Sequence, residues 1–246
     1  MSKPSVLLQA VRRNQVVATL AAGCAVAGSI QLLAEPAGAQ TAPSAAEAAG
    51  YGPLHAAAYR GDAADLLLQL AAGAAADPRD GRGRTPLHVA TFRGHHDVVR
   101  ALANAGADLG ALDDDRYDAV TIASVADDEA MLRLLLSLGA SARLITSRYD
   151  GTALIAAAHL GHAGVVHQLV QAGAPLDHVN NLQWTAVIES VVLGDGGARH
   201  QDTLRTLIKA GADLGRSDGQ GNTPLTLARS RGYTEMVRML EAAGAR

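Results

Sequence analysis

Cysteine is almost missing from this sequence. The 246 residues contain one cysteine, Cys24, so no disulfide can form within the chain. Aromatic residues are also rare, at 3%, with a single Trp and a single Phe. The hydrophobic share of 48% therefore consists mainly of alanine and small aliphatic residues. These proportions predict a thin, continuous core, and they draw attention to any aromatic side chain left at the surface.

Strong charge and long apolar stretches are absent as well. The formal net charge is −3, which disfavours nonspecific binding to a nucleic acid phosphate backbone. Beyond the N-terminal 39 residues, no apolar run is long enough to cross a membrane. We therefore expect no nucleic acid partner and no membrane span in the processed chain.

Motifs for catalysis, cofactors and metals are missing too. The chain has no paired cysteines, no H-E-x-x-H, no G-x-S-x-G and no phosphate-binding G-K-[ST] loop. Asp195, His200 and Asp202 could gather around a cation or act as acid and base. The simpler interpretation is a Gly-rich surface loop at 194–202, with Asp202 capping the helix that follows. We predict a protein that is not an enzyme, with no cofactor and no metal.

A repeat is the strongest positive signal. Thr85-Pro86-Leu87-His88 and Thr223-Pro224-Leu225 open segments that both end in Gly-Ala. The Gly-Ala pairs begin at six glycines separated by 33, 33, 34, 38 and 33 residues, namely Gly73, Gly106, Gly139, Gly173, Gly211 and Gly244. This spacing predicts six similar units.

Each unit has the pattern of two helices. The first helix is predicted to begin after an N-cap, at Gly52, Thr85, Asp118, Thr152, Thr185 and Thr223. Proline follows directly in three units, where the missing N–H costs nothing. The second helix carries apolar residues at i, i+3 and i+4, as in Val98-Val99 and Leu102, and the Gly of Gly-Ala ends it. The third unit has Asp127 in place of the glycine between helices, and the fifth carries five extra residues.

The T-P-L-H motif and the period near 33 resemble those of ankyrin repeats over about residues 51–246. The resemblance implies an all-α fold, a solenoid of six helix-turn-helix units joined by short β-turn or hairpin connections. The expected repeats are 51–79, 80–112, 113–146, 147–179, 180–217 and 218–246. It also implies that His55 and His88 form hydrogen bonds between turns, and that a partner binds the concave face.

The N-terminus has a different composition. Basic residues precede an apolar run from Val16 to Ile30, and Ala37-Gly38-Ala39 forms an A-x-A-like site. This predicts a signal peptide at 1–39, cleaved before Gln40, for a periplasmic or secreted protein. An uncleaved anchor and a lipoprotein attached through Cys24 remain alternatives. Residues 40–50 are predicted to be a linker that ends in a short capping helix.

The resemblance places turn tips and the ends of first helices on the concave face. We expect the partner to contact a basic and aromatic first third, Tyr117 in the third unit, and an aromatic and aliphatic stretch in units four and five. The residues are Tyr59, Arg82, Arg84, Phe92, Arg93, Tyr117, Arg148, Tyr149, Leu160, Leu182 and Trp184. Trp, Tyr and Arg are the residues most enriched in interface hot spots. The alternative for Trp184 and Leu182 is simple packing against the neighbouring turn.

The leading hypothesis is an exported bacterial ankyrin-repeat protein, a monomer that binds another protein in the cell envelope. A narrower version makes it an immunity or inhibitor protein that neutralises a toxin or an enzyme. A third possibility is a small-ligand or glycan binder that uses the region around Trp184 and the insert.

Overall fold

The computed structural model describes residues 40–246, and residues Ala42–Arg246 form one compact unit. The predicted signal peptide, its cleavage site and Cys24 lie outside the described residues. The described chain is helical and contains no strand, only an isolated bridge between Thr146 and Gly151. This is the all-α architecture expected from the sequence.

The described helices comprise one short helix followed by six pairs. The short helix is α1 (Ala45–Ala49). The pairs are α2 (Pro53–Arg60) and α3 (Ala63–Ala71), α4 (Pro86–Arg93) and α5 (His96–Asn104), α6 (Ala119–Val125) and α7 (Glu129–Ser137), α8 (Ala153–Leu160) and α9 (Ala163–Gln171), α10 (Ala186–Val192) and α11 (Ala198–Lys209), α12 (Pro224–Ser230) and α13 (Thr234–Ala242). Below, the even-numbered helices α2 to α12 are called first helices, and the odd-numbered helices α3 to α13 are called second helices.

The first helices begin where the sequence predicts. All six predicted N-caps are confirmed, and the side chains of five of them accept a hydrogen bond from the backbone three residues on. Gly52, which has no side chain, is the exception, but Pro53 follows it at the first helical position. These caps satisfy N–H groups that a helix leaves free at its start.

Residues in the left-handed backbone conformation lie between the two helices of several units and at the ends of the second helices. The six glycines of the Gly-Ala pairs all have φ between 77° and 97°, as predicted. Asp127, which replaces the glycine between helices in the third unit, has φ of 57°. Aspartate is one of the few residue types other than glycine that adopt this conformation, so the turn between the helices is kept in the third unit.

The core runs through the whole stack. First helices pack against first helices of the neighbouring units, and second helices against second helices. Leucines such as Leu87, Leu154 and Leu204 are at most 1% exposed, and Ala57, Ala90 and Ala157 are fully buried between first helices. Because alanine is small, the first helices approach closely, which explains how a stable core forms with so few aromatic residues.

Tight turns connect successive units, and we call them fingers one to five. They span residues 80–84, 113–117, 146–151, 180–184 and 218–222, and each is closed by backbone hydrogen bonds between its ends. Neighbouring fingers are joined as well. For example, the Asn181 N–H donates to the Tyr149 carbonyl at 2.9 Å, and Ser147 N–H to the Arg116 carbonyl at 2.8 Å.

The insert of the fifth unit differs from the prediction. Helix α11 begins at Ala198 with Gly197 as its N-cap, so Asp202 lies inside the helix and does not cap it. Half of the expected loop is therefore helical. The remainder is tied down, because His200 Nε2 donates to the His159 carbonyl at 3.0 Å and the Tyr233 hydroxyl donates to the Gly194 carbonyl at 2.8 Å.

Candidate functional site

Two of the predicted binding residues of the first two units, Tyr59 and Arg93, form a stacked pair. The guanidinium carbon of Arg93 lies 4.6 Å from the centre of the Tyr59 ring, which is cation–π geometry. Arg93 is exposed, while Tyr59 and Phe92 are half-buried. All three lie at the ends of α2 and α4, one unit apart. A partner would therefore meet a cationic and aromatic patch here.

Arg84 is not part of that patch, and the prediction that it is exposed is wrong. It is 2% exposed, because Asp80 Oδ2 lies 2.7 Å from its Nε and Glu47 Oε1 lies 3.0 Å from its Nη2. Glu47 belongs to α1 and also pairs with Arg82 at 2.8 Å. Hydrogen bonds from Ser44, together with Arg84, lower the pKa of Glu47 to about 2. Helix α1 thus neutralises part of the basic first third, a contact that the linker prediction did not include.

Tyr117 is also buried, so its prediction as an exposed contact is wrong. It is 9% exposed, and it lies in finger two directly before the N-cap Asp118. The backbone holds it there, since its N–H donates to Asp113 Oδ1 and its carbonyl accepts from His88 Nε2. Burial raises the pKa of the Tyr117 hydroxyl. Arg84 and Tyr117 both lie directly before an N-cap, and both are buried.

Hydrogen bonds join two predicted residues of finger three, Arg148 and Tyr149, to finger four. Arg148 is exposed and pairs with Asp115 of finger two at 3.2 Å. Tyr149 is half-buried, and Asn181 Nδ2 donates to the Arg148 carbonyl at 3.0 Å. Leu160 ends α8 and is half-buried. Arg148 and Tyr149 are thereby tied to finger four.

Finger four and the end of α10 carry the most exposed apolar part of this surface. Leu182 is 37% exposed and Leu193 is 44% exposed. Trp184 is half-buried, and its backbone N–H donates to Asn180 Oδ1 at 3.0 Å. Trp184 is thus neither fully buried nor fully exposed. We refer to Arg148, Tyr149, Leu160, Leu182, Trp184 and Leu193 as the central surface.

Sequence reasoning missed one residue beside this surface. Glu189 on α10 is only 4% exposed, so an ionisable side chain is buried at this place. Asn180 Nδ2 donates to its Oε1 at 3.1 Å, and His159 Nδ1 lies 3.3 Å from its Oε2. A signal was present in the sequence, because the other five units have an apolar residue at this position.

The histidines mostly have structural roles. His55 Nε2 and His88 Nε2 each donate to the carbonyl of the residue before the next N-cap at 2.9 Å, which confirms their predicted hydrogen bonds between turns. His95 and His162 donate to carbonyls of the preceding unit. Among residues 40–246, no three His, Cys, Asp or Glu side chains are close enough to hold a metal ion. Nor does this part of the chain contain a helix with the length and apolarity of a membrane span.

Solved structures of several ankyrin proteins resemble this chain. An ankyrin repeat domain from Acinetobacter baumannii AYE is 40% identical, with a TM-score of 0.75 over 79% of this chain and 98% of that domain. The ankyrin repeat domain of Bcl-3, described as a member of the IkappaB protein family, is 28% identical, with a TM-score of 0.71 over 80% and 88%. Among curated proteins, the putative ankyrin repeat protein YahD of Escherichia coli K12 is 35% identical over 148 residues, which are 60% of this chain and 73% of YahD.

Sequence models of repeat families match as well. The model described as ankyrin repeats (3 copies) matches residues 7–113 and 120–218, and the model for many copies matches residues 197–241. Ankyrin repeats generally mediate protein–protein interaction, and the family is typically a non-enzymatic scaffold. The six capped helix pairs, the finger turns and these matches agree, and the chain belongs to the ankyrin-repeat family.

Proposed function

We propose that this chain is an exported bacterial protein that binds another protein through the central surface on the concave face of its ankyrin stack. The observation that carries the proposal is the central surface itself, where an indole ring, a phenol ring and two exposed leucines follow each other across units four and five. A chain with one Trp and one Phe in total has little aromatic surface to spare. Its use here favours a binding role over chance exposure.

The chemistry of the central surface suits a protein partner. Tyr and Trp supply large contact areas, and hot spots are often apolar centres with a polar rim. Here Leu182, Trp184 and Leu193 provide the apolar centre, while the Arg148–Asp115 pair lies at the rim. We expect the rim charges to set orientation and encounter rate more than affinity.

Export is proposed from the sequence pattern of residues 1–39. Basic residues, an apolar run and an A-x-A-like site in this order are typical of a secretory signal. Cleavage before Gln40 would leave a chain without cysteine, which is insensitive to an oxidising compartment. Lipidation at Cys24 is the alternative, and mass spectrometry of the mature N-terminus separates the two.

The test begins with affinity capture from the envelope fraction, using residues 40–246 as bait. The captured partner is then titrated against wild type and Trp184→Ala. We expect Trp184→Ala to weaken binding by roughly 1 kcal/mol or more, since truncating a hot-spot aromatic removes buried contact area. Helicity by circular dichroism should not change, because Trp184 lies outside the helices.

Leu68→Ala is the matched control. Leu68 is 72% exposed on α3, away from the central surface, so its loss should leave partner affinity unchanged. An affinity of Trp184→Ala equal to that of wild type would refute the central surface as the binding site. A ligand that shifts the melting temperature, without a protein complex on size exclusion, would favour the small-ligand or glycan alternative. A captured toxin or enzyme that loses activity in the complex would establish the immunity or inhibitor version.

A further inference from the structure

Glu189 is an exception in its own structural series. It is the fourth residue after the N-cap of α10. Each of the other five first helices has an equivalent position, four residues after its own N-cap. The other five units carry an apolar residue there, at Ala56, Val89, Ile122, Ala156 and Leu227. The repeat fold therefore does not require a carboxylate at this position.

The carboxylate is buried with incomplete hydrogen bonding. Oε1 accepts one hydrogen bond, from Asn180 Nδ2 at 3.1 Å. Oε2 is out of contact with solvent and accepts none, although His159 Nδ1 lies 3.3 Å away. An ionised carboxylate in such a place is costly unless a cation or several donors compensate it. The structure thus holds a buried carboxylate with one oxygen that receives no hydrogen bond.

Finger four is adapted to this charge. Fingers one, two and five begin with Asp80, Asp113 and Asp218, whose carboxylates accept hydrogen bonds from their own finger. Finger four begins with Asn180, which accepts the same bonds through Oδ1 and in addition donates through Nδ2 to Glu189. An aspartate could not donate and would repel the glutamate. Asn180 and Glu189 therefore act as a pair that presents the carboxylate.

Within residues 40–246, no arginine or lysine forms an ion pair with Glu189. Among the ion pairs of residues 40–246, Glu189 has only His159, which is charged only when protonated. Arg148 of the central surface pairs with Asp115 instead. His159 itself is 35% exposed at the side chain and lies at the end of α8, so it covers Oε2 from the solvent side.

We propose that Glu189 is the receptor for one basic side chain, an arginine or a lysine, of the protein partner. This inference rests on the proposed function and adds the chemistry that the partner must supply. The incoming cation displaces the His159 ring and binds Oε2. Its aliphatic stem lies along the apolar part of the central surface, as the stems of such side chains commonly do. A guanidinium could bind the carboxylate with two hydrogen bonds, so arginine is the better ligand of the two.

The test uses defined peptides and the chain 40–246. Acetyl-Gly-Arg-Gly-amide, the Lys analogue and the norleucine analogue are titrated while ¹⁵N-labelled amide and indole signals are followed by NMR. We expect saturable shifts at Asn180, Glu189 and the Trp184 indole with Arg and Lys, and none with norleucine. Glu189→Gln keeps the shape and removes the charge, so it should weaken Arg peptide binding at least tenfold. Equal binding of wild type and Glu189→Gln, or no saturable shift with Arg, overturns the proposal.

Two further variants separate binding from structure. Glu235→Gln removes an exposed charge from α13 and should bind the Arg peptide like wild type. His159→Ala uncovers Oε2, so it should bind the peptide more tightly than wild type. If His159 merely stabilises Glu189, His159→Ala will lose binding instead, which contradicts the displacement. Tight binding of the diamine putrescine with no preference for the peptide would assign the site to a small cation and overturn a protein side chain.

The affinities of Trp184→Ala and Glu189→Gln for the captured partner test this inference separately from the proposed function. If Trp184→Ala weakens partner binding and Glu189→Gln does not, the central surface stands and the cation receptor falls. If neither variant changes partner affinity, the proposed binding site falls together with the role of Glu189 towards that partner, even if the Arg peptide still binds through Glu189.

Discussion

Buried histidines link fingers one and two to the first helices of the preceding units. His88 is fully buried, accepts the Thr85 N–H at Nδ1 and donates from Nε2 to the Tyr117 carbonyl. One nitrogen must accept and the other must donate, so only the neutral ring fits. Burial lowers the pKa of His88 to about 4, in agreement with this hydrogen-bond pattern. The residue stabilises the fold only while it is uncharged.

This arrangement predicts that the protein loses stability in mild acid. In the unfolded chain His88 takes up a proton near pH 6.5, but in the folded protein only near pH 4. Between these values the unfolded state binds more protons, so the free energy of unfolding falls as pH drops. We expect His88 to contribute a loss of roughly 2–3 kcal/mol between pH 7 and pH 4.5. Urea denaturation at a series of pH values measures it.

The variant His88→Gln should be less stable at pH 7 and should also show a smaller decrease with acid. His167→Gln serves as the control for the substitution itself, because His167 is exposed on α9 and its replacement should leave the stability at pH 7 nearly unchanged. Parallel curves for wild type and His88→Gln would show that His88 is not the acid-sensitive group.

Among single residues, the sequence predicted those whose role depends only on their neighbours along the chain. N-caps such as Thr152 depend on the few residues that follow them, and their type is readable from the pattern. Buried Arg84 pairs with Glu47, 37 residues away, and buried Tyr117 is held through its carbonyl by His88, 29 residues away. Glu189 depends on Asn180 and His159 from two other segments. Such contacts arise only when units stack, which explains why these predictions failed or were not made.

Among the elements, the fingers are the most demanding in backbone conformation. The residue before the end of each finger has positive φ, at Gly83, Arg116, Asp150, Gln183 and Gly221. Two glycines and three other residues share this task. The positions that tolerate a side chain are therefore those where the neighbouring finger leaves room.

Gly83 lies at a position without that room. Its φ is 68°, and a Cβ there would lie 2.2 Å from Asp114 Oδ1 of the next finger. Gly83→Ala should therefore cost about 1–2 kcal/mol from the left-handed backbone alone, with further loss from the displaced Asp114. Gly81→Ala in the same finger is the matched control, because its Cβ would meet nothing within 4 Å. Chemical denaturation compares them, and equal stabilities would contradict the account.

The start of helix α11 in the fifth-unit insert could not be predicted from the sequence. A Gly-rich run was interpreted as a loop closed by Asp202, yet helix α11 begins four residues earlier. The helical start at Ala198 is held by contacts beyond the insert, since Arg199 pairs with Asp127 of the third unit at 2.9 Å and His200 reaches His159 of the fourth. Composition near the insert gave no sign of these partners.

For the molecule as a whole, the period of 33 residues was the decisive signal. It predicted the number of helix pairs, their order and their ends, because each unit repeats the same local rules. It could not predict which faces stay exposed at the two ends or along the surface, where Leu67 and Leu68 are 51% and 72% exposed. The fold was therefore predictable, while the central surface was predicted only in part.

The stacking of the units also predicts the effect of a core substitution. Leu154 in α8 is fully buried and belongs to a helix that packs against both α6 and α10. Leu154→Ala should cost about 2–5 kcal/mol, because a cavity forms between three units. Leu68→Ala, at an exposed leucine, should change stability by less than about 0.5 kcal/mol.

Nearest-neighbour coupling makes the effect of Leu154→Ala spatially graded. Each unit is stabilised mainly by its two neighbours, so weakening the fourth unit should loosen the third and fifth before the first. Hydrogen exchange should accelerate most in α6, α8 and α10 and least in α2, since α2 shares no interface with the fourth unit. Uniform acceleration along the whole chain would mean that the stack unfolds only as a single block. In that case the central surface could not open locally, and displacement of His159 by a partner would have to occur within an otherwise rigid fold.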